Sequence, residues 1–532
     1  VSKLPDPVKE GLARGWQVKG GPHGAAPERV DCDVAIVGTG AGAGITAEIL
    51  AKAGLKVVLV EEGPLRTSTD FRQRESDAYP SLYQESAARK TRDKAINILQ
   101  GRCVGGSTTV NWTSSFRTPS PTLAFWRDHF ELADFHDDDL APFFLQAERR
   151  LSIGPWLAAP NENNDLLRRG AAKLGIPAAA ILRNVKGCWN LGSCGMGCPT
   201  NAKQSMLVTT IPWALDHGAQ LLVETRAQRF ELANGEVKSL LCEPASGAGP
   251  GTRITAKHYV LAGGAINSPA VLLRSQAPDP HGRLGARTFL HPTLLSAAHM
   301  PGKVEGWQGA PQTIYTDHFL GTQPIDGPIG YKLEAPPIHP VIFASTLTGI
   351  GQEQAQMLSR FAFTHVLIAL LRDGFHPESP GGTVRLRGDG SAELDYALDA
   401  YTLEGARRAM LSMAEIQFAA GAEQVAPVHE LAKPYRSWVE AREAINALPM
   451  VPRLTKVASA HVMGGCAFAG RADLGVTRPD GVHWQLRNLS IHDGSIFPTS
   501  IGANPQLSIY GIVNRLAQGL AHRMTGRDVI LA

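Results

Sequence analysis

Three of the chain's seven cysteines fall within eleven residues, in "GCWNLGSCGMGCP". Written as spacings, the stretch is Cys188-x5-Cys194-x3-Cys198-Pro199. The run that holds a four-iron cluster is C-x2-C-x2-C-x3-C-P, and here Leu191 stands where its second cysteine belongs. Three thiolates on that spacing would suit a [3Fe–4S] cluster, a cubane without one corner iron. Gly192, Gly195 and Gly197 would give the tight turns and amide hydrogen bonds that cluster sulfides need. Two other readings stand beside it. Zinc would require a fourth ligand from far off in sequence, and a glycine-rich loop could simply carry buried free thiols.

A second stretch is more decided. Gly38-Thr39-Gly40-Ala41-Gly42-Ala43 is a G-x-G-x-x-G/A fingerprint with Ala43 in the last place. The first glycine permits the tight turn and the second lets backbone approach a pyrophosphate. The third small residue lets helix and strand pack closely, and the helix N-terminus faces the anion. A bare fingerprint says little, but this one follows the apolar run "VAIV" and opens "ITAEILAKAG", whose apolar residues recur at helical spacing. Glu61, where a ribose-binding carboxylate belongs, ends the next run "KVVLV". The pattern predicts dinucleotide binding without separating NAD from FAD.

These residues need a scaffold, and composition bounds it. The chain has 532 residues, 43% hydrophobic and 19% charged, enough for two or more domains. A net charge of +3 with no basic run excludes nucleic acid as a partner. Seven unevenly spread cysteines argue against a disulfide framework. The start "VSKLPDPVKEGLARGW" has no apolar signal core. The expected location is therefore cytoplasmic, or peripheral to a membrane or periplasmic if a leader has been removed. The longest apolar run, "FAFTHVLIALL" from Phe361, is about half a spanning helix. No transmembrane segment is expected; the run reads as a core helix or strand, with a membrane-surface patch as the other reading. Residues 1–30 read as a surface arm or linker. "GTVRLRGDGSAELDYAL" reads as a hairpin, and "TLEGARRAMLSMAEIQFAAGA" as an amphipathic helix.

Further stretches separate the nucleotides: "GRCVGGSTTVNWTSSFR" from Gly101, "AGGAINSPAVLLRSQ" from Ala262, "HVMGGCAF" from His461 and "NLSIHDGSIFPTSIGANPQLSIYGIVNRLA" from Asn488. With the fingerprint, in this order, they resemble the glucose–methanol–choline (GMC) flavoprotein oxidoreductases, over almost the whole chain. The resemblance implies an α/β fold with a Rossmann-like FAD-binding domain assembled from separated segments. An α+β substrate domain with an antiparallel sheet completes it. The expected boundaries are 31–120, 201–285 and 455–532 for the first domain, and 121–200 and 286–454 for the second.

By the same resemblance Gly38, Thr39, Gly40, Ala43 and Glu61 hold the adenosine diphosphate half of FAD. Gly105, Gly106, Ser107, Asn111 and Ser114 lie along the flavin. Asp493 meets the ribityl chain, with Gly494 and Pro505 also among the cofactor-binding positions. Some members bind FAD covalently through a histidine where this chain has Val110, so non-covalent FAD is expected. His461 and Asn504 align with the catalytic pair: the histidine takes the alcohol proton near neutral pH, and the amide orients the alcohol oxygen.

Cys466 and His291 read as structural. The C-terminal motifs look most like the cholesterol oxidase and long-chain alcohol oxidase branches, which implies a hydrophobic or aromatic primary alcohol as substrate. "EAPPIHPVIFAS" and the run after Phe361 would suit its pocket or equally a core. The cysteine loop resembles the one in iron–sulfur FAD dehydrogenases, so electrons are expected to pass to a quinone or cytochrome. An oxidase making hydrogen peroxide and an FAD-containing hydroxynitrile-type lyase are the alternatives.

Overall fold

The computed structural model describes residues 4–531. The runs "VAIV" and "KVVLV" form the middle of an eight-stranded sheet. Arg29–Val37 and Val57–Val60 lie parallel, with Val34 opposite Val57 and Val37 opposite Val60. Val57–Val60 is buried throughout, which is why it reads as a continuous β-branched run rather than an alternating one. Thr252–Leu261 joins the other side of Arg29–Val37 and is long enough to be shared. Its first half pairs with Glu236–Pro244, Leu240 opposite Ile254, and its second half with Leu489–Ile491, Tyr259 opposite Leu489. Arg29–Val37 and Leu489–Ile491, from opposite ends of the chain, thus meet on one strand at the end where the glycine turn sits, while the neighbouring hairpin strand pairs at its other end.

Towards the other edge the sheet runs through Gln220–Leu222 to Gln17–Lys19. Residues 1–30, expected as an arm packed on the surface or a linker, contribute a strand here. Val18 is buried and pairs with Leu221, so Gln17–Lys19 is the edge strand of the nucleotide sheet.

A second, mostly antiparallel sheet centres on Thr293–His299 and Thr364–Leu371, with Leu295 opposite Ile368. The apolar run after Phe361 is therefore a buried strand behind one 3-10 turn. The helix Ala400–Ala419, whose N-terminus is capped by Asp399 accepting from the Thr402 amide, lies over this sheet and buries Leu403, Met410 and Met413. Thr383–Leu386 and Ala392–Asp395 form the hairpin expected around "GDGS".

Tyr331–Glu334 is buried at all four positions. Successive side chains point to opposite faces of a strand. Tyr331 and Leu333 join the core under the long helix, while Lys332 and Glu334 turn the other way, towards Asn504. The last helix, Gln506–Thr525, begins directly after Pro505 and packs on Ala41–Lys52 and Asp137–Arg150. That packing fixes Asn504 at the rim of the nucleotide domain. Among the described residues no helix is long and apolar enough to cross a membrane.

Candidate active site

The glycine turn opens onto a cavity of about 550 Å³ that extends from Glu61 to His461 and Asn504. Each glycine there has its own reason. Gly38 has φ +99°, and a Cβ on it would lie 2.3 Å from the Ala262 carbonyl oxygen. Gly106 has φ +53°, and its Cβ would lie 2.8 Å from the Gly40 Cα. Gly40 itself would meet nothing nearer than that Gly106 Cα at 4.0 Å. Its open side belongs to the cavity, at the N-terminus of Ala41–Lys52, where backbone amides and the helix dipole favour an anion. The close helix–strand approach falls on Gly42 rather than on Ala43: a Cβ at Gly42 would sit 1.7 Å from the His492 carbonyl oxygen. Ala43 is fully buried without such a clash.

Thr39 ties the cradle together. Its hydroxyl donates to Glu61 Oε2 at 2.5 Å and accepts from the Gly105 amide at 3.0 Å, so the glycine turn, the acid and the Gly-Gly-Ser segment form one unit. Glu61 Oε1 accepts from the Gly63 amide at 2.8 Å. Burial pushes this carboxyl up to about 7, against the hydrogen bonds that favour its charge. Ser107 faces the cavity and takes the Gly101 amide at 2.9 Å. Asn111 donates to Gln506 Oε1 at 2.7 Å. Asp493 accepts from the Gly264 amide, Ser268 Oγ and the Ser495 amide, and thereby binds the turn after Thr252–Leu261 to the C-terminal segment. Gly494, Pro505 and Val110 line the cavity too.

At the far end His461 is half-buried, and its Nδ1 lies 3.0 Å from Nδ1 of His291. One of those nitrogens must donate and the other accept, which leaves His461 Nε2 as the free nitrogen. Burial lowers the His461 pKa from 6.5 to about 4; Glu334 opposes that shift and Lys332 adds to it. The titration of His461 is thus displaced below the unperturbed histidine value on which the sequence expectation rests. His291, read there as structural, is in direct contact with the candidate base. It is completely buried, has φ +48°, and is held well below the ordinary histidine range by burial, His461 and Lys332.

Asn504 is bound on both ends of its amide, to Lys332 and Glu334. Neither charged residue stood out in the sequence. Their signal was a lysine and a glutamate two apart on a strand otherwise buried, "YKLE".

The cysteine loop does something other than expected. Among the described residues no three His, Cys, Asp or Glu side chains gather as a metal ion requires. The [3Fe–4S] and zinc readings therefore have no ligand group at Cys188, Cys194 and Cys198. Cys198 Sγ lies 3.4 Å from Thr200 Oγ1, and Cys194 Sγ 3.9 Å from Arg183 Nη2. The loop's backbone is what it contributes. Buried Lys203 donates to the carbonyls of Cys194, Thr109 and Asn111, and Tyr83 OH donates to that of Gly195. The loop thus buttresses the Gly-Gly-Ser turn. Its glycines serve packing: Gly192 backs onto the Trp307 carbonyl and Gly197 onto the Phe71 ring. Ile338 and Phe343, expected to suit either a pocket or a core, pack with Val366 in a separate core cluster away from the cavity. Cys466 is fully buried.

Two family models described as GMC oxidoreductase match residues 79–293 and 377–512. The chain belongs to the GMC oxidoreductase family. An uncharacterized GMC-type oxidoreductase of Mycobacterium tuberculosis is 30% identical over 94% of this chain and 77% of its own length. A long-chain-alcohol oxidase of Arabidopsis thaliana is 27% identical over 93% and 68%. Among solved structures, pyridoxine 4-oxidase from Mesorbium loti shares the fold at TM-score 0.69 and 19% identity, over 92% of this chain and 99% of its own. Formate oxidase of Aspergillus oryzae does so at 0.71 and 14%, over 94% and 100%.

GMC oxidoreductases bind FAD, and the residues present fit it. The open side of Gly40 can admit a pyrophosphate, and the Oγ of Ser114 is buried beside the cavity with no hydrogen-bond partner among the described residues.

Proposed function

We propose that the protein oxidises a hydrophobic primary alcohol to the aldehyde, with His461 as base and Asn504 as the donor to the alcohol oxygen. The observation that carries this reading is the free Nε2 of a neutral histidine on the same cavity as the nucleotide cradle, with Asn504 also lining it. FAD, held along that cradle, supplies the two-electron acceptor for the alcohol's hydride. The chain's own residues do the rest. Nε2 takes the hydroxyl proton as the hydride departs, and the Nδ1–H of the same ring then donates to His291 Nδ1. The Asn504 amide donates to the alcohol oxygen, which gains charge as its proton leaves. His291 is completely buried behind His461, which is half-buried on the cavity wall, so water can reach the base only through the cavity itself.

The long-chain-alcohol oxidase names of the plant relatives favour an aliphatic substrate and oxygen as the acceptor. The cysteine loop gives no reason to prefer a quinone or cytochrome. Anaerobic bleaching of the flavin by a long aliphatic alcohol, an aromatic alcohol and a sugar tests the substrate class; faster bleaching by the sugar overturns it. No bleaching by any of them would point to a lyase. Peroxide equal to the aldehyde formed in air identifies the oxidase, and its absence with full dye-linked turnover identifies a dehydrogenase. His461→Ala should keep its flavin and lose about 10²–10⁴ in reduction rate, the usual share of a general base. With Val110 at the linkage position, denaturant should release all the flavin from the precipitated protein.

A further inference from the structure

Behind Asn504 lies an ion pair that the reaction as described does not use. Lys332 Nζ is 2.9 Å from Glu334 Oε1, and the two side chains are 1% and 0% exposed. Lys332 Nζ also donates to Asn504 Oδ1 at 3.1 Å, and Asn504 Nδ2 donates to Glu334 Oε2 at 3.2 Å. Gln312 Nε2 holds the same carboxylate oxygen at 2.7 Å. The ammonium is closed in by the rings of Phe116, 3.0 Å away, and Tyr315, 4.5 Å away. Taking both charges out of water is costly, and such a pair rarely stabilises a fold better than apolar residues would. Its geometry suggests another use.

An asparagine amide has two nearly isosteric ends, and only its partners decide which way it points. Turning Asn504 over would set its NH₂ against the ammonium and its oxygen against the carboxylate. Both contacts would then be repulsive. A neutral partner such as a hydroxyl could accept either orientation; a cation and an anion side by side cannot. We infer that Lys332 and Glu334 are a positioning pair that locks the Asn504 amide so that its second N–H is presented to the substrate oxygen. The inference rests on the alcohol-oxidation reading above.

Opposite charges serve a second end. His461 is faced by His291, Lys332 and Glu334; Lys332 disfavours a proton on His461 and Glu334 favours one. A pair can orient the amide while leaving the base nearly undisturbed, which a single charge could not.

The test uses holoenzyme variants Lys332→Met, Glu334→Gln and the double variant. The double variant removes both charges and avoids an uncompensated buried ion, so it is informative even if the single variants fail to fold. It should retain FAD, reduce flavin about 10–100-fold more slowly, as expected for a misdirected transition-state donor, and leave the acid limb of the pH profile in place. Lys332→Met should move that limb upward, because the glutamate then acts alone on His461. A neutron crystal structure of the double variant, which tells the NH₂ end from the oxygen, should show the Asn504 amide turned over or in two orientations. Wild-type reduction rate in the double variant, or an Asn504 amide unchanged in its crystal structure, overturns the inference. If the wild-type flavin is bleached by no alcohol, it is the functional reading that fails, and the crystal structure still decides whether the pair orients the amide.

Discussion

At His461 the environment trades basicity for availability. A histidine with pKa about 4 is neutral near pH 7, and with Nδ1–H donated to His291 its Nε2 lone pair is available for the alcohol proton. The ring is then a weaker base than one poised near 7, and the Nδ1 contact to His291 must help carry the charge when the proton arrives. The pH profile follows from the direction of the shift. kcat/KM for flavin reduction should be flat from about pH 8 to 5 and fall along a limb near 4, not near the unperturbed 6.5. A limb at 6.5, measured by stopped flow, would show that the ring is solvated in the working enzyme. His461 and Asn504 were legible in the sequence because each sits in a short stretch, "HVMGGC" and "GANP", whose neighbours fix its meaning. His291, Lys332 and Glu334 were not. Each acts through a partner about 170 residues away, and no local spacing records that contact.

The strand–turn–helix unit shows the same division between local and distant signals. Its existence was plain from apolar runs and a glycine fingerprint, and the register of Arg29–Val37 against Val57–Val60 agrees. The duty of each glycine was not plain, since Gly42 answers to the His492 carbonyl, delivered by a strand near the other end of the chain. Two substitutions separate these duties. Gly40→Ala meets no protein atom within contact and has no positive φ, so the protein should fold normally. Its methyl would occupy the space left for the pyrophosphate and weaken FAD binding by about tenfold or more, or about 1.4 kcal/mol. Gly42→Ala drives a methyl into backbone, and at saturating FAD it should lower unfolding stability by about 1–3 kcal/mol, as overpacking does. Flavin titration and urea unfolding distinguish the two. Equal losses of affinity and stability in both variants would mean that the turn is not divided in this way.

Across the whole molecule, burial of neutral histidines sets the response to acid. His258, His365 and His492 are driven to about 3, His483 to about 4 and His291 well below 6.5, in each case chiefly by burial. Each would bind a proton readily in the unfolded chain and refuses it in the folded one. Stability conferred by their neutrality is therefore complete above about pH 6.5 and declines as pH falls towards 4. Two buried acids act the other way. Glu61 at about 7 and Asp373 at about 6 keep protons in the fold that they would lose when unfolded, which offsets part of the decline between pH 6 and 5. Counting His461 as well, six histidines stand against two acids, so the unfolded chain holds about four more protons near pH 5, a slope on the order of 5 kcal/mol per pH unit. Urea midpoints should fall steeply from pH 6.5 to 5 and change little from 8 to 7. His365 offers the control, because it lies on the fully buried strand Thr364–Leu371, bonded through Nδ1 to Asn163, with Nε2 unpartnered. His365→Gln cannot take up a proton in either state, so it should flatten the slope by about one proton's worth, 1.4 kcal/mol per pH unit. Equal midpoints at pH 7 and 5 in the parent protein would mean that these rings already carry charge in the fold, and that its polar interior is wetter than the packing of the two sheets implies.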